Sequence, residues 1–280
     1  MIVRRAHRRG KRKLRNRFSL VDKVAVVTGA ASGLSQAIAI GFAEAGADLA
    51  LADINYDGLR ETAKSVRALG QKAEVCLCDI SDAAAVEQLF ERVDDAYGQV
   101  DILLNGPFAF NREKPEKLTL EDWNNAIAVC LTGFFTCAQQ AGRRMIERGM
   151  GGSIISIGSI AGATALGRGN FVYSVAKAGV HQMTRELAVE WAGHGIRVNA
   201  LLPAQMLTPS VLRWLEDPAT DKDLVAHLLK GIPLNRLGET EDIVGPAVFL
   251  ASDAAAFVTG TLLPVDGGNL ALNAGGSHTW

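Results

Sequence analysis

The chain has 280 residues, of which 48% are hydrophobic and 21% are charged, and its formal net charge is −1. This composition is typical of a globular protein with enough apolar material for a core, and it excludes a disordered chain, a collagen-like chain and a disulfide-stapled miniprotein. No stretch approaches the roughly 18 uninterrupted apolar residues that a membrane span needs. The four cysteines are too few for a secreted disulfide scaffold, and we expect a cytoplasmic protein.

Charge is unevenly distributed along the chain. Residues 1–20 hold nine of the 29 Lys and Arg residues and no acid, so the rest carries 20 basic and 30 acidic side chains, a net charge of −10. An acidic body is not expected to bind nucleic acid through its general surface. We interpret residues 1–18 as a disordered basic arm or an over-long start, and residues 19–280 as one domain. Mitochondrial targeting, nucleic-acid binding and lipid binding are the alternatives for the arm.

Seven short apolar runs alternate with helical stretches from residue 23 onward. The runs are apolar nearly throughout, as expected of strands covered on both faces, and they occupy residues 24–27, 49–52, 75–78, 102–104, 154–157, 198–202 and 262–265. Thr119 and Asp122 predict the start of a long helix toward Arg148, and Thr240 marks another helix start. Repeated strand–helix units predict a single α/β domain with a parallel sheet and helices on both faces.

The segment 210–230 interrupts this alternation. It follows Pro203 and Pro209, and its leucines are spaced as in helices. An insertion after the carboxyl end of a strand is where an α/β protein places a substrate lid. A packed connecting helix is the equally weighted alternative.

A turn of small residues follows the first predicted strand and opens the first predicted helix. This glycine turn runs from residue 28 to residue 35 with the sequence TGAASGLS. Small residues let the backbone approach a pyrophosphate, and the N–H groups at the start of a helix stabilise its charge. We therefore assign Gly29, Ser32, Gly33 and Leu34 to the binding of a dinucleotide.

Two aspartates end the next two predicted strands. Asp53 lies 24 residues past Gly29, where a carboxylate accepts hydrogen bonds from the adenosine ribose and repels a 2′-phosphate. It therefore favours NAD over NADP. The alternative is that Asp53 only caps the turn formed by residues 53–55. Asp79, followed by Ile80, is placed to meet the adenine edge.

Three polar side chains form a candidate catalytic group. Tyr173 and Lys177 are four residues apart at the start of a predicted helix that runs to about His194, so their side chains share one face. A tyrosine titrates near 10, and acting as a base near pH 7 requires its pKa to fall by about 3. The adjacent ammonium of Lys177 is expected to supply the largest part of that lowering. Ser159 follows the fifth predicted strand, where its hydroxyl could hydrogen-bond a reacting oxygen.

Taken in order, these residues resemble the short-chain dehydrogenase/reductase superfamily, and the resemblance covers roughly residues 20–270. Further matches are Asn105, Asn199, Pro203, Thr208 and the run from residues 233–238 through 260 to 265–268. The resemblance implies a seven-stranded, Rossmann-like, doubly wound sheet, a nicotinamide cofactor and usually a homotetramer.

The resemblance also implies a role for each site residue. Tyr173 takes the alcohol proton as general base while a hydride passes to the nicotinamide. Ser159 orients the substrate oxygen, and Lys177 bonds the nicotinamide ribose. Tyr173 and Lys177 therefore also count among the implied cofactor-binding residues. The residues implied to hold the remainder of the cofactor, including its carboxamide, are Asn105, Pro203, Met206 and Thr208.

Four positions depart from the family's pattern. Ser35 replaces the third glycine of the turn, and residues 105–108 read Asn-Gly-Pro-Phe where the family has Asn-Asn-Ala-Gly. Cys130 replaces the asparagine that in the family holds a proton-relay water, and a thiol is a poor substitute. Ala204 stands where a glycine usually follows the proline. We expect an active enzyme with an altered proton relay.

The substrate prediction depends on residues near the expected mouth of the pocket. Arg112 and Arg168 could pair with hydroxyls or a carboxylate, as could Asn111 and Asn170. With Ser159, the two arginines form the candidate substrate set. Residues 166–168 and 249–268 resemble gluconate 5-dehydrogenase-like members, which implies interconversion of a secondary alcohol and a ketone in a polyol or sugar acid.

Three other functions remain open. The alternatives are a 3-oxoacyl carrier-protein reductase and a non-catalytic dinucleotide-binding protein that acts as a sensor or partner subunit. The basic arm keeps nucleic-acid binding as a third possibility. Metal catalysis is not expected, because the five histidines lack ligand spacing.

Overall fold

The computed structural model describes residues 17–110, 112–167, 169–218 and 222–272. Within these ranges seven strands form one sheet in the order β3-β2-β1-β4-β5-β6-β7, and every neighbouring pair is parallel. The strands are β1 (Val24–Thr28), β2 (Asp48–Asp53), β3 (Ala73–Leu77), β4 (Ile102–Asn105), β5 (Gly152–Ile157), β6 (Ile196–Pro203) and β7 (Leu262–Val265). All seven predicted strands are confirmed. Most of the predicted arm, residues 1–16, lies outside the described residues.

Helices connect successive strands across both faces of the sheet. Among the described residues they are α1 (Gly33–Glu44), α2 (Tyr56–Ala68), α3 (Ala83–Tyr97), α4 (Leu120–Ile127), α5 (Gly133–Arg148), α6 (Phe171–Glu190), α7 (Pro209–Glu216), α8 (Lys222–Lys230) and α9 (Val244–Ala251). The predicted insertion thus contains two helices, α7 and α8. None of the helices in the described ranges is long and apolar enough to cross a membrane.

The core consists of two layers, one on each face of the sheet. Ala25 and Val27 of β1 pack with Phe42 of α1, whereas Val24 and Val26 pack with the layer that contains Phe90 and Phe134. Successive residues of a strand point to opposite faces, so both sets of β1 residues are buried. This double coverage is why the strands are apolar throughout instead of alternating.

The predicted long helix from Thr119 toward Arg148 is interrupted. Thr119 caps α4 as predicted, because its side chain accepts the N–H of Asp122. A π-helical turn, Ala128–Thr132, then separates α4 from α5. π-Turns insert an extra residue into a helix and occur often at functional sites. This one contains Cys130.

Two smaller boundaries also differ from the sequence prediction. The helix at Thr240 is capped by Glu239, and its first turn, Thr240–Ile243, is a 3₁₀-helix that precedes α9. The helix predicted to run to His194 ends as an α-helix at Glu190 and continues after Trp191 as a 3₁₀-turn, Ala192–His194.

Candidate active site

The carboxyl ends of four strands bring the predicted site residues to one edge of the sheet. Gly29 follows β1, Asn105 ends β4, Ser159 lies just past β5, and Pro203 ends β6. The strand order reverses between β1 and β4, and open α/β sheets bind ligands in the crevice at such a point. Residues far apart in the sequence therefore border one crevice.

The glycine turn needs both of its glycines for conformation, and it needs Gly29 for space as well. Gly29 and Gly33 have φ angles of +71° and +63°, in the left-handed region that favours glycine. A Cβ atom on Gly29 would lie 2.9 Å from the backbone N of Pro107, and one on Gly33 would lie 3.5 Å from Cγ2 of Thr208. The turn after β1, the loop after β4 and the segment after β6 therefore meet here.

The amino end of α1 is open to an anion. Ser32 is its N-cap residue, but the Ser32 side chain makes no capping hydrogen bond. Leu34 packs against the core and anchors this end of the helix. Backbone N–H groups at a helix start that no side chain caps form a ready site for phosphate, so the turn fits the pyrophosphate of a dinucleotide.

Two departures from the family pattern compensate for each other. Ser35 is buried, and a Cβ atom on Gly106 would overlap its Oγ. The glycine at position 106 thus makes room for the extra hydroxyl at position 35. The glycine turn and the loop after β4 therefore still pack closely, because the larger residue lies at position 35 and the smaller residue lies at position 106.

Asp53 ties β2 to the glycine turn. Its Oδ2 accepts the N–H of Ala31 at 3.1 Å, and its Oδ1 accepts the N–H of Asn55 at 2.9 Å. The second bond is the turn cap weighed as the alternative role. Each carboxylate oxygen has two lone pairs, so Asp53 keeps acceptor capacity for ribose hydroxyls. The cap and a ribose contact are compatible.

The polar groups of the other predicted cofactor residues differ in their hydrogen-bond partners. Asp79 is exposed, and its Oδ1 accepts both the N–H and the Oγ–H of Ser81. Ile80 after it is buried. Asn105 is fully buried, and its Nδ2 donates to the carbonyl of Phe134 at 3.1 Å, while its Oδ1 has no partner among the described residues. An unpaired buried oxygen beside the crevice fits a polar ligand or an ordered water.

The segment after β6 closes one side of the crevice. Thr208 caps α7, with its Oγ1 accepting the N–H of Val211 at 3.4 Å. Met206 is buried, and its carbonyl accepts the N–H of Thr208 at 2.8 Å. The chain is fixed at Gly238, whose carbonyl accepts the N–H of Leu207 at 2.7 Å. Pro203 and Met206 are thus held in place, and Thr208 faces the glycine turn.

The three predicted catalytic side chains lie together. Tyr173, on the first turn of α6, lies beside Ser159, whose hydroxyl interacts with the tyrosine hydroxyl. Ser159 begins the 3₁₀-turn Ile160–Gly162, where its Oγ accepts the N–H of Ala161 at 3.1 Å. Lys177 is 1% exposed, and its Nζ donates to the carbonyl of Ile157 at 2.6 Å. The ammonium also lies 4.5 Å from the centre of the Phe134 ring.

Burial dominates the titration of this group. It raises the pKa of Tyr173 to about 12, with the hydrogen bond from Ser159 acting in the opposite direction. It lowers the pKa of Lys177 to about 8. The expectation that Lys177 lowers the pKa of Tyr173 is therefore wrong for the protein alone. The Nζ atom lies 5.6 Å from the centre of the tyrosine ring and bonds a backbone carbonyl instead.

Aromatic side chains adjoin Tyr173 at the pocket mouth. The ring of Phe110 meets that of Tyr173 edge-on, with centroids 5.5 Å apart. The guanidinium of Arg112 lies 5.4 Å from the centre of the Phe110 ring and 5.8 Å from that of Trp214 on α7. Of the predicted substrate residues, Arg112 is thus near Tyr173, whereas Arg168 lies outside the described residues, as does Asn111.

Sequence reasoning missed three residues of the site. Phe134 carries no sequence signal that distinguishes it from a packing residue, yet its ring lies against the Lys177 ammonium. Phe110 carried no signal beyond its aromatic type. His181 is 3% exposed, and its Nε2 has no partner within the described part of the chain. Its spacing of four residues from Lys177 on α6 could have identified it, because i and i+4 share a helix face.

Comparison with known proteins agrees with this geometry. A family model described as enoyl-(acyl carrier protein) reductase matches residues 29–269. A D-threitol dehydrogenase of Mycolicibacterium smegmatis is 38% identical over 90% of this chain and 94% of the relative. A 2-dehydro-3-deoxy-D-gluconate 5-dehydrogenase of Escherichia coli is 37% identical over 91% and 98%. A crystal structure of a proposed 2-deoxy-D-gluconate 3-dehydrogenase from Agrobacterium tumefaciens, solved with NADP, is 36% identical over 92% and 100%, with a TM-score of 0.83.

The seven-stranded parallel sheet, the glycine turn and the Ser159–Tyr173–Lys177 group define a nucleotide-dependent oxidoreductase of the Rossmann type. The chain belongs to the short-chain dehydrogenase/reductase family. It is an oxidoreductase that acts on CH–OH groups and exchanges a hydride with a nicotinamide nucleotide.

Proposed function

We propose that this enzyme interconverts a secondary alcohol and a ketone in a polyol or sugar acid, with NAD as its preferred cofactor. The observation that carries the proposal is the contact of Tyr173 with Ser159 next to buried Lys177, at the crevice that the glycine turn borders. These residues provide a proton acceptor, an oxygen-orienting hydroxyl and a cation at one place.

The chain's own residues manage the proton while the carbon centre is oxidised. An oxidised nicotinamide nucleotide held by the glycine turn and Asp53 would supply the hydride acceptor, and its positive charge would favour the phenolate form of a nearby tyrosine. Tyr173 Oη takes the alcohol proton as the C–H bond breaks, and the Ser159 hydroxyl donates to the oxygen as it becomes a carbonyl. With its pKa at about 8, Lys177 is mostly an ammonium at pH 7, held toward the site by the Ile157 carbonyl.

The preference for NAD depends on Asp53. Its carboxylate, at the end of β2, keeps lone pairs for the ribose hydroxyls of the adenosine and repels a phosphate on the 2′-oxygen. The similar Agrobacterium structure holds NADP, so the family accommodates both cofactors. We assign the preference to this single side chain.

Arg112 favours an anionic substrate over a neutral one. It is exposed at the pocket mouth, and its guanidinium contacts the ring that touches Tyr173. A carboxylate bound there would form a charge-assisted hydrogen bond at the mouth of the pocket that contains Tyr173. Arg168 is retained as a second candidate from the sequence. The relative named for a deoxygluconate supports an anionic substrate, whereas the relative named for D-threitol supports a neutral polyol.

We further propose that the chain acts as one domain over residues 19–280, as a homotetramer in the cytoplasm. Large apolar side chains are exposed on neighbouring helices, as Phe135 on α5 and Phe171 and Val175 on α6. Exposed apolar patches of this kind mark association surfaces. The four cysteines are free thiols, as is usual in a reducing compartment.

A substrate panel tests the proposal. Polyols, sugar acids and a 3-oxoacyl thioester are assayed with each of NAD(H) and NADP(H) by the absorbance of the reduced nucleotide. We expect turnover of a polyol or sugar acid with NAD. Turnover of the thioester alone with NADPH would indicate the carrier-protein reductase instead. Tight NADH binding without turnover of any compound would indicate a sensor or partner subunit.

A further inference from the structure

Cys130 lies at the irregular part of the helical pair α4–α5. It occupies the middle of the π-helical turn Ala128–Thr132, and its side chain is fully buried. A π-turn displaces the side chains that follow it relative to a continuous α-helix. Phe134, four residues later, is the residue that supports the Lys177 ammonium.

The thiol of Cys130 holds the backbone of Ala109 at both of its polar groups. The N–H of Ala109 donates to Cys130 Sγ at 3.1 Å, and Sγ donates to the carbonyl of Ala109 at 3.5 Å. Ala109 has no other backbone hydrogen bond within the described ranges. A backbone segment without regular structure needs such partners to keep one conformation. The thiol is therefore what fixes this part of the loop after β4.

The next residue of that loop reaches the catalytic tyrosine. Phe110 meets the Tyr173 ring edge-on with centroids 5.5 Å apart, and it also carries the guanidinium of Arg112. A loop displaced at Ala109 would withdraw Phe110 and expose the tyrosine hydroxyl to water. Cys130 therefore controls the contact between Phe110 and Tyr173 indirectly, through its hydrogen bonds to Ala109.

We infer that Cys130 is a positioning residue for the reaction, whose thiol clamps Ala109 so that Phe110 restrains and shields Tyr173. This inference rests on the proposed function, since it concerns the same tyrosine. By this inference, the cysteine that replaces the family's asparagine at position 130 contributes to the reaction instead of impairing it. The influence of Cys130 on the pKa of Tyr173 and of Lys177 is consistent with its closeness to both.

A matched pair of cysteine variants tests the clamp. Cys130→Ala removes the thiol, and Cys137→Ala makes the same truncation in α5 at an equally buried cysteine that packs in the apolar layer. We expect Cys130→Ala to lower kcat about tenfold with an unchanged KM for NAD. Its kcat–pH profile should shift to lower pH, because a wetter Tyr173 loses part of the burial that raises its pKa. Cys130→Ser should recover most of the rate.

Cys137→Ala should leave kcat and the profile unchanged. Identical kcat values and pH profiles for the two alanine variants would overturn the inference, as would a failure of the serine variant to recover the rate. If Cys130→Ala does not fold, Cys130→Val, which keeps the bulk but cannot hydrogen-bond Ala109, replaces it and is measured alone and combined with Phe110→Leu. Since the clamp acts through Phe110, the combination should be no slower than Phe110→Leu alone. If the losses of kcat in the two single variants multiply in the combined variant, the clamp is refuted.

A second readout does not need turnover. Amide hydrogen exchange of the peptide spanning residues 106–112 should accelerate in Cys130→Ala and stay slow in Cys137→Ala. Unchanged exchange would contradict the clamp even if the enzyme's substrate were different. Conversely, fast exchange in the variant together with undiminished turnover of Tyr173→Phe would refute the proposed function and leave the clamp standing.

Discussion

The two halves of the crevice use their polar residues differently. Around β1 and β2, the glycine turn is held by backbone geometry and by hydrogen bonds to Asp53, and Asp79 is exposed and bonded within its own loop. Around β5 and α6, Lys177 and His181 are buried and Tyr173 is partly buried, and burial is the largest cause of the shift in each pKa. Changes in the first half should therefore alter cofactor affinity, whereas changes in the second should alter rate and pH dependence.

Replacement of Tyr173 should give the largest effect. Tyr173→Phe removes the proton acceptor and keeps the ring that packs on Phe110, so kcat should fall at least about 10³-fold. NADH binding, followed by fluorescence, should stay within about twofold because the cofactor half is untouched. Tyr56→Phe, at an exposed position on α2, is the control and should be fully active. Retained turnover in Tyr173→Phe would remove the tyrosine from the mechanism.

Replacement of Lys177 should change how the free energy of unfolding depends on pH. Its pKa in the folded protein, about 8, lies below the ordinary 10.5, so between these values the unfolded chain binds more protons and the folding free energy becomes more favourable as pH rises. Lys177→Met has no such gain. Its stability relative to wild type should therefore fall by about 3 kcal/mol between pH 7 and pH 10.5.

Urea denaturation at the two pH values measures this difference, and the raised pKa of Tyr173 affects both proteins alike. Lys72→Met, at an exposed position, provides the control and should show no change with pH relative to wild type. Parallel curves for wild type and Lys177→Met would mean that the lysine is solvated in solution.

Replacement of Asp53 tests the role assigned to the cofactor half of the crevice. Asp53→Ser removes the carboxylate that repels a 2′-phosphate, so the ratio of kcat/KM for NAD to that for NADP should fall about 30-fold. kcat at saturating NAD should change little, because the catalytic half is intact. Asp57→Ser, on the first turn of α2, is the matched control. An unaltered cofactor ratio would assign Asp53 to capping the turn alone.

Arg112 should give the smallest effect. Arg112→Ala should raise KM for carboxylated substrates about tenfold and leave kcat and the KM of neutral polyols unchanged. Initial rates for one sugar acid and one polyol measure the split. Arg60→Ala, at an exposed position on α2, controls for the loss of surface charge. An equal rise for both substrates would place Arg112 in the packing of the loop and not in carboxylate recognition.

The sequence was sufficient to predict the sheet and to predict that Ser159, Tyr173 and Lys177 lie together. Strands buried on both faces leave continuous apolar runs, and the spacing of Tyr173 and Lys177 follows from helical geometry. It could not predict the π-turn at Cys130, because one extra residue hardly disturbs helical periodicity. The direction of the Tyr173 pKa shift was also missed, since burial depends on residues distant in sequence. The exchange between Ser35 and Gly106 needed the packing of two loops.

A structure of the enzyme with NADH and a substrate analogue would show whether Tyr173 and Ser159 meet the reacting oxygen. We expect Tyr173 Oη and Ser159 Oγ both within about 3 Å of the analogue's oxygen, with the reactive carbon of the nicotinamide facing the carbon that bears that oxygen. A nicotinamide ring bound away from α6, or a tyrosine oxygen turned toward bulk water in that complex, would contradict it.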